Sequence, residues 1–269
     1  MATATNGWIN SSPSCSSASA EIVTFDHGGS SLTEAWDEQA EAWIRWARTP
    51  DHDDYYHLYN LPRFLELIPA PSGLTLDIGA GEGRLARVLR DLGHRVVCVE
   101  PSGVLARAAR EAEPAIPIAQ ANGVAIPIAA GDADLVVCFM VLQDVDDLVG
   151  VAAELARVLV PDGFVCAAIV HPMVSSGFFD PDEPVLYVGR YLDVMRNEFA
   201  IERDGVPLTF HSAHRSLEQY SRAFEQAGLM IEAIREPRLS EDHVAVRPGL
   251  ARHRLLPNFL YFALRKRQD

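Results

Sequence analysis

The sequence has almost no lysine. Every basic residue but Lys266 is an arginine, and that lysine lies at the very end of the 269-residue chain. A phosphate-binding P-loop needs a lysine directly after its glycines, and Schiff-base chemistry needs one at the reacting centre. Lys266 serves neither, so both chemistries are set aside. Cysteine is scarce too. Cys15, Cys98, Cys138 and Cys166 form no CxxC pair, and the last three lie in the apolar runs 96–99, 135–142 and 164–170, where they read as small core residues. The first twenty residues lack the basic, then apolar, pattern of a leader, and no apolar run reaches the roughly 18–20 residues that span a bilayer. The expectation is a soluble protein in a reducing, cytoplasmic setting. No membrane partner is expected.

Basic charge is outweighed as well. Against 23 Lys and Arg stand 37 Asp and Glu, a formal net charge of -14. Such a field repels phosphate backbones and anionic lipid, which argues against a nucleic-acid binder or a membrane-surface protein. What remains is ordinary for a globular chain: 48% apolar and 22% charged.

Residues 1–31 are rich in Ser, Ala, Thr and Gly and read as a flexible arm. Trp8, Ile9, Ile22, Val23 and Phe25 are exceptions that could dock on a neighbouring surface, which makes the arm a candidate for homo-oligomer contacts. Residues 32–70 read as a helical lid. Thr33 is placed as N-cap before a stripe of Trp36, Ala40, Trp43, Ile44 and Ala47, and a second helix runs from Asp53 to Leu67. From 71 to 170 strands alternate with helices. Near-continuous Val/Ile/Leu strands are expected at 74–78, 95–99, 116–119, 135–140 and 164–170, with helices at 84–92, 102–111 and 148–160. This order predicts a parallel sheet covered on both faces, a doubly wound α/β fold. The rhythm breaks over 171–215, which reads as an insertion without clean period. A helix at 216–227 and strands at 229–236 and 258–265 complete the core over 216–269.

One turn carries the chemistry. The run Leu74-Thr-Leu-Asp77-Ile-Gly79-Ala80-Gly81-Glu-Gly83 joins the first core strand to its helix. Glycines there let a ligand approach the backbone. Glu100, at the tip of the next strand about 20 residues on, suits a carboxylate that takes both ribose hydroxyls. The spacing points to a ribonucleoside cofactor and leaves nicotinamide and S-adenosylmethionine both open.

With these residues the sequence resembles the class I S-adenosylmethionine-dependent methyltransferases, in particular the small-molecule enzymes of ubiquinone, sugar and natural-product type. The pattern acidic-x-Gly-x-Gly-x-Gly is met by Asp77, Gly79, Gly81 and Gly83. Ile126-Pro127-Ile128, Asp134-Leu-Val-Val and Arg157-Val-Leu-Val-Pro161-Asp-Gly163 occupy the family's later motifs. Dehydrogenases prefer Gly-x-Gly-x-x-Gly, which this turn does not meet. The resemblance implies a Rossmann-like seven-stranded sheet with the last strand antiparallel. It also implies S-adenosylmethionine as cofactor and S-adenosylhomocysteine as product. By it, Asp77 lies near the cofactor's amino end through the 79–81 backbone, Ala80 included, and Glu100 takes the ribose. Pro101 packs on the adenine, Asn122 reaches its amine beside a Gly123 amide, and Phe139 and Met140 flank the methionine portion. Asn122 and Gly123 stand where Asp and Ala are common, and Asn still offers an acceptor.

Methyl transfer from a sulfonium is an in-line displacement, so the protein chiefly positions the acceptor and, where needed, removes its proton. His171 and Asp144 follow core strands and are the candidates for base or orienting group. His171 could equally bond backbone at a strand end, and Asp144 could cap the next helix. His211-x-x-His214 and Asp51-His52-Asp53-Asp54 lack further ligands at metal spacing, so no metal is expected. The acceptor pocket is assigned to Trp43, Tyr55, Tyr56, Tyr59, Phe178, Phe179, Tyr187, Tyr191 and His214, an aromatic lining for a mid-sized, largely apolar small molecule. Two other readings stay open: a nicotinamide-linked oxidoreductase and a non-catalytic cofactor-binding scaffold.

Overall fold

The computed structural model describes residues 21–25, 30–49 and 51–267. Part of the expected flexible arm is ordered: strand β1 (Glu21–Phe25) lies within it. Trp8 and Ile9 fall outside the described residues. Helix α1 (Leu32–Arg48) starts two residues earlier than a Thr33 cap would place it. Ser31 accepts from the Glu34 amide and Glu34 returns a bond to the Ser31 amide, a reciprocal capping box. The second expected helix is split. A π-helical turn over Tyr55–Asn60 precedes helix α2 (Leu61–Leu65), and the Leu61 amide bonds Tyr56 O, five residues back. Pro62 accounts for the break, because its ring displaces the carbonyl four residues earlier and supplies no amide.

The core follows, strand and helix alternating except between β4 and β5, which no helix separates: β2 (Leu74–Ile78), α3 (Arg84–Asp91), β3 (Arg95–Glu100), α4 (Gly103–Ala112), β4 (Ile118–Gln120), β5 (Ala133–Phe139), α5 (Leu148–Val158) and β6 (Leu159–Val170). The insertion holds α6 (Pro172–Ser175), β7 (Gly177–Phe179), β8 (Leu186–Val188), β9 (Met195–Arg203) and β10 (Val206–His214). Then come α7 (Leu217–Gln226), β11 (Leu229–Arg235), α8 (Glu241–Val246), a 3-10 turn over Pro248–Arg254, and β12 (Phe259–Lys266).

Seven strands form one sheet in the order β11-β12-β6-β5-β2-β3-β4. All core pairings are parallel except those of β12, which runs antiparallel between β6 and β11. The expected doubly wound, Rossmann-like sheet with its last strand reversed is therefore present. Successive residues of β5 enter opposite cores: Val136 and Cys138 pack with α5 and α7, Leu135 and Val137 with α2 and α3. Both faces are covered, which is why these strands read as unbroken apolar runs. Phe224 of α7 is fully buried against Tyr220 and Phe262. Phe224→Ala should cost about 3–5 kcal/mol, read as a lower midpoint of denaturant unfolding.

The insertion is more regular than its sequence suggests. β9 and β10 form a tight antiparallel hairpin whose two turn residues, Asp204 and Gly205, have φ of 51° and 75°. β1 adds to β9, making a second, three-stranded sheet. Trp36, Trp43 and Trp46 of α1 pack edge-on against Phe210 of β10, and the Trp36 indole donates to His211 O at 2.9 Å. Helix and hairpin thus form one body over the carboxyl ends of the core strands.

Candidate functional site

The β2-to-α3 turn folds back on β3, with the Gly79 amide 2.8 Å from Val99 O. Gly79 and Gly81 have φ of 67° and 58°, the left-handed region where a side chain is strained. A Cβ on Gly79 would lie 2.2 Å from a methyl of Val141, so the backbone there admits no side chain. Gly83 and Ala80 complete the turn, and Ala80 is buried.

Two carboxylates face this turn. Asp77 closes β2, is 2% exposed, and its Oδ2 has no partner. Burial, reinforced by the neighbouring Glu100 charge, pushes its carboxyl up to about 8. Glu100 ends β3 and accepts the Gly81 amide at 2.8 Å and the Ser102 amide at 2.9 Å. Burial pushes it up to about 7, against the pull of those two amides. These groups fit an adenosyl amino acid. An orphaned buried carboxylate oxygen suits an ammonium, and Glu100 keeps lone pairs for a vicinal diol.

The adenine side is looser. Asn122 is exposed, its Oδ1 accepts the Val124 amide at 3.2 Å, and its Nδ2 lies 3.5 Å from Thr33 Oγ1. A Cβ on Gly123 would sit 3.2 Å from Val151, so glycine keeps this wall thin. The Pro101 carbonyl takes the Gln120 amide group at 3.4 Å. On the methionine side Phe139 stands edge-on to Phe64 and Tyr56. Met140 has φ of 59°, and its carbonyl accepts Gln143 Nε2 at 2.5 Å. All residues expected to bind cofactor therefore gather along the carboxyl ends of β2, β3, β4 and β5.

The acceptor candidates divide. Trp43 lies on the glycine turn, its Nε1 3.3 Å from where a Gly81 Cβ would be. With Tyr56 it sandwiches the Arg84 guanidinium, which also bonds Asp53 at 2.7 Å. Tyr56 is buried with its hydroxyl unpartnered. Tyr59 is core, its hydroxyl on Pro237 O. Phe178 and Tyr187 stack on the β7–β8 hairpin and are 58% and 49% exposed, so they line no closed cavity. His214 is fully buried, one ring nitrogen on Ser175 Oγ at 2.7 Å and the other on the Tyr191 carbonyl at 2.9 Å. Burial lowers its pKa.

His171 caps α6. Its Nδ1 accepts the Met173 amide at 3.2 Å, which puts the proton on Nε2, 3.0 Å from Glu236. Burial lowers its pKa although Glu236 opposes. Asp144 does not cap the next helix. Asp147 does, accepting the Gly150 amide at 2.8 Å. Asp144 lies beside Gln143 and Arg215, and burial raises its carboxyl well above the usual range against both neighbours. The acidic run at 51–54 is spent on pairing: Asp53 with Arg84, Asp54 with Arg247, His52 with Asp204.

The sequence reading missed His253. It is buried, its Nε2 is 3.0 Å from the Tyr55 hydroxyl, and its Nδ1 has no partner. Tyr59 and Phe179 pack on its ring, and burial takes it down to about 4. It lies in the 3-10 turn between β11 and β12, where no periodicity marks it. Among the described residues no helix is long and apolar enough to cross a membrane.

Comparison with known proteins agrees with this geometry. Residues 76–167 match the family model of the methyltransferase domain. A malonyl-[acyl-carrier protein] O-methyltransferase of Enterobacter lignolyticus is 29% identical over 185 residues, 64% of this chain and 73% of that protein. An S-adenosylmethionine-dependent methyltransferase from Mesorhizobium loti superposes with a TM-score of 0.65 at 22% identity, covering 76% of this chain and 96% of the other. The 1,6-didemethyltoxoflavin-N1-methyltransferase of Burkholderia thailandensis, solved with 1,6-didemethyltoxoflavin and S-adenosylhomocysteine bound, superposes at 0.58 and 14% identity over 95% of this chain and 99% of that one. The protein is an enzyme that carries a methyltransferase domain over residues 76–167, built on the fold of S-adenosylmethionine-dependent methyltransferases. The nicotinamide and scaffold readings fall away.

Proposed function

We propose that this methyltransferase acts on O, N or C of a mid-sized, largely apolar small molecule of natural-product or quinone-like character. One observation carries the reading: the segments over the strand ends bring Tyr55, Tyr59, Phe179 and His253 into one aromatic group, with Tyr55 reaching solvent. Tyr55 is the exposed edge of this group, and a flat, apolar acceptor would stack there. When bound, S-adenosylmethionine supplies an activated methyl on a sulfonium. Asp77 and the 79–81 backbone hold its amino acid end, Glu100 its ribose, and Phe139 and Met140 exclude water beside it.

His171 and Asp144 are assigned to orienting the acceptor. The Nδ1 lone pair of His171 is engaged within the chain, so taking a proton there would break the α6 cap. Replacing either by Ala should lower turnover about tenfold or more while S-adenosylhomocysteine still binds. Unchanged turnover in both variants removes the assignment.

A second reading takes its support from the same commitments. His171 and His214 have both ring nitrogens bonded. A carboxylate acceptor needs no base, and the Enterobacter relative is named for a malonyl substrate. Label transfer from radiolabelled S-adenosylmethionine distinguishes the two. The first reading expects product from hydroquinones and phenols, and label only in a malonyl thioester overturns it in favour of the second.

A further inference from the structure

Helix α1 lies across the adenosine half of the site. Its first turn is tied to the loop after β5, with the Leu32 amide 3.0 Å from Asp146. Its last turn is tied to the glycine turn, where Arg48 donates to the buried Glu82 at 2.9 Å, and to α4, where Arg48 donates to Ala108 O at 3.0 Å. Between these ties, at i, i+4 spacing, Thr33 faces Asn122 and Asp37 faces Ser102.

Ser102 links two carboxylates. Its amide donates to Glu100 Oε1 at 2.9 Å, and its hydroxyl donates to Asp37 Oδ1 at 2.5 Å. The Asp37 charge is felt at Glu100, although Asp37 itself is exposed. Asp77, whose buried Oδ2 is orphaned, lies near enough to Glu100 for that charge to raise its carboxyl, and such a group calls for a ligand.

We propose that Asp37 is a second ribose-binding carboxylate, carried by α1 and joined to Glu100 through Ser102. This deepens the cofactor reading above and rests on it. Glu100 spends one lone-pair direction on the Gly81 amide and another on the Ser102 amide, so a single carboxylate must divide itself between backbone and diol. Among the described residues Asp37 is hydrogen-bonded through its side chain to Ser102, and its second carboxylate oxygen is available at the same place. Because Asp37 sits on the helix that packs on β10, the cofactor's sugar and the hairpin body are joined through one side chain.

Isothermal calorimetry with S-adenosylhomocysteine and its 2′-deoxy and 3′-deoxy forms tests this. Asp37→Asn is expected to weaken S-adenosylhomocysteine about tenfold, the size of one charge-assisted hydrogen bond. Removing the hydroxyl that Asp37 contacts should weaken wild type by a similar factor and Asp37→Asn hardly further. A merely structural Asp37 would show the two losses multiplying, and that result overturns the proposal, as does an Asp37→Asn affinity within twofold of wild type. Glu100→Gln keeps the two readings apart. If it too binds as wild type does, the cofactor reading itself has failed; if it alone loses binding, only Asp37 has.

Discussion

Glu100→Gln should weaken S-adenosylhomocysteine binding at least about a hundredfold, corresponding to loss of charged hydrogen bonds worth roughly 1.5–3 kcal/mol each. The wild-type carboxylate accepts two amides, from Gly81 and Ser102. A carboxamide has only one acceptor oxygen, so its amino group must meet one of those N–H donors head-on, and the ribose loses its anionic partner as well. Titration calorimetry reads the effect directly. An affinity within threefold of wild type would remove Glu100 from the sugar and with it the placement of the cofactor. The fold should survive, because the strand that carries Glu100 is held by its pairing with β2 and β4.

The second large effect is a coupling between cofactor and protons. Asp77 is pushed up to about 8 by burial and by Glu100. Its folded value lies above its ordinary one of 3.8, so this group's contribution to the stability of the cofactor-free protein is fully present below that value and is lost as the pH rises from there through about 8. Near pH 7 Asp77 therefore holds a proton. Pairing with the cofactor's ammonium favours the ionised form, so binding should expel close to one proton at neutral pH. Calorimetry in two buffers of different ionisation enthalpy measures that proton. Asp77→Asn should abolish most of the release and flatten the pH dependence of the free protein's melting temperature. Equal binding enthalpies in both buffers would show Asp77 to be ionised already.

Much of this architecture is legible along the chain because its causes are local. The strand at 74–78, the glycine turn after it and the carboxylate at Glu100 follow from apolar runs, from φ values that glycine tolerates, and from the spacing of a β-α-β unit. The hairpin was readable too. Met195, Asn197, Phe199 and Ile201 alternate with polar or small residues, and Asp204-Gly205 is a strong two-residue turn signal, yet the surrounding Pro and Gly obscure it. Ser31 likewise carried the S-x-x-E signature that sets the start of α1.

What the chain order could not supply is which distant groups meet. His171 looks like a free base and His214 like a pocket residue until Glu236, Ser175 and the Tyr191 carbonyl arrive from 65, 39 and 23 residues away. Asp37 looks like one acid on a helix surface until packing sets it against Ser102, 65 residues on. Local patterns specify the elements and the turn that admits a nucleoside. Burial and long-range hydrogen bonding specify which side chains keep an unshared pair for it, because those depend on partners that only folding brings within 3 Å.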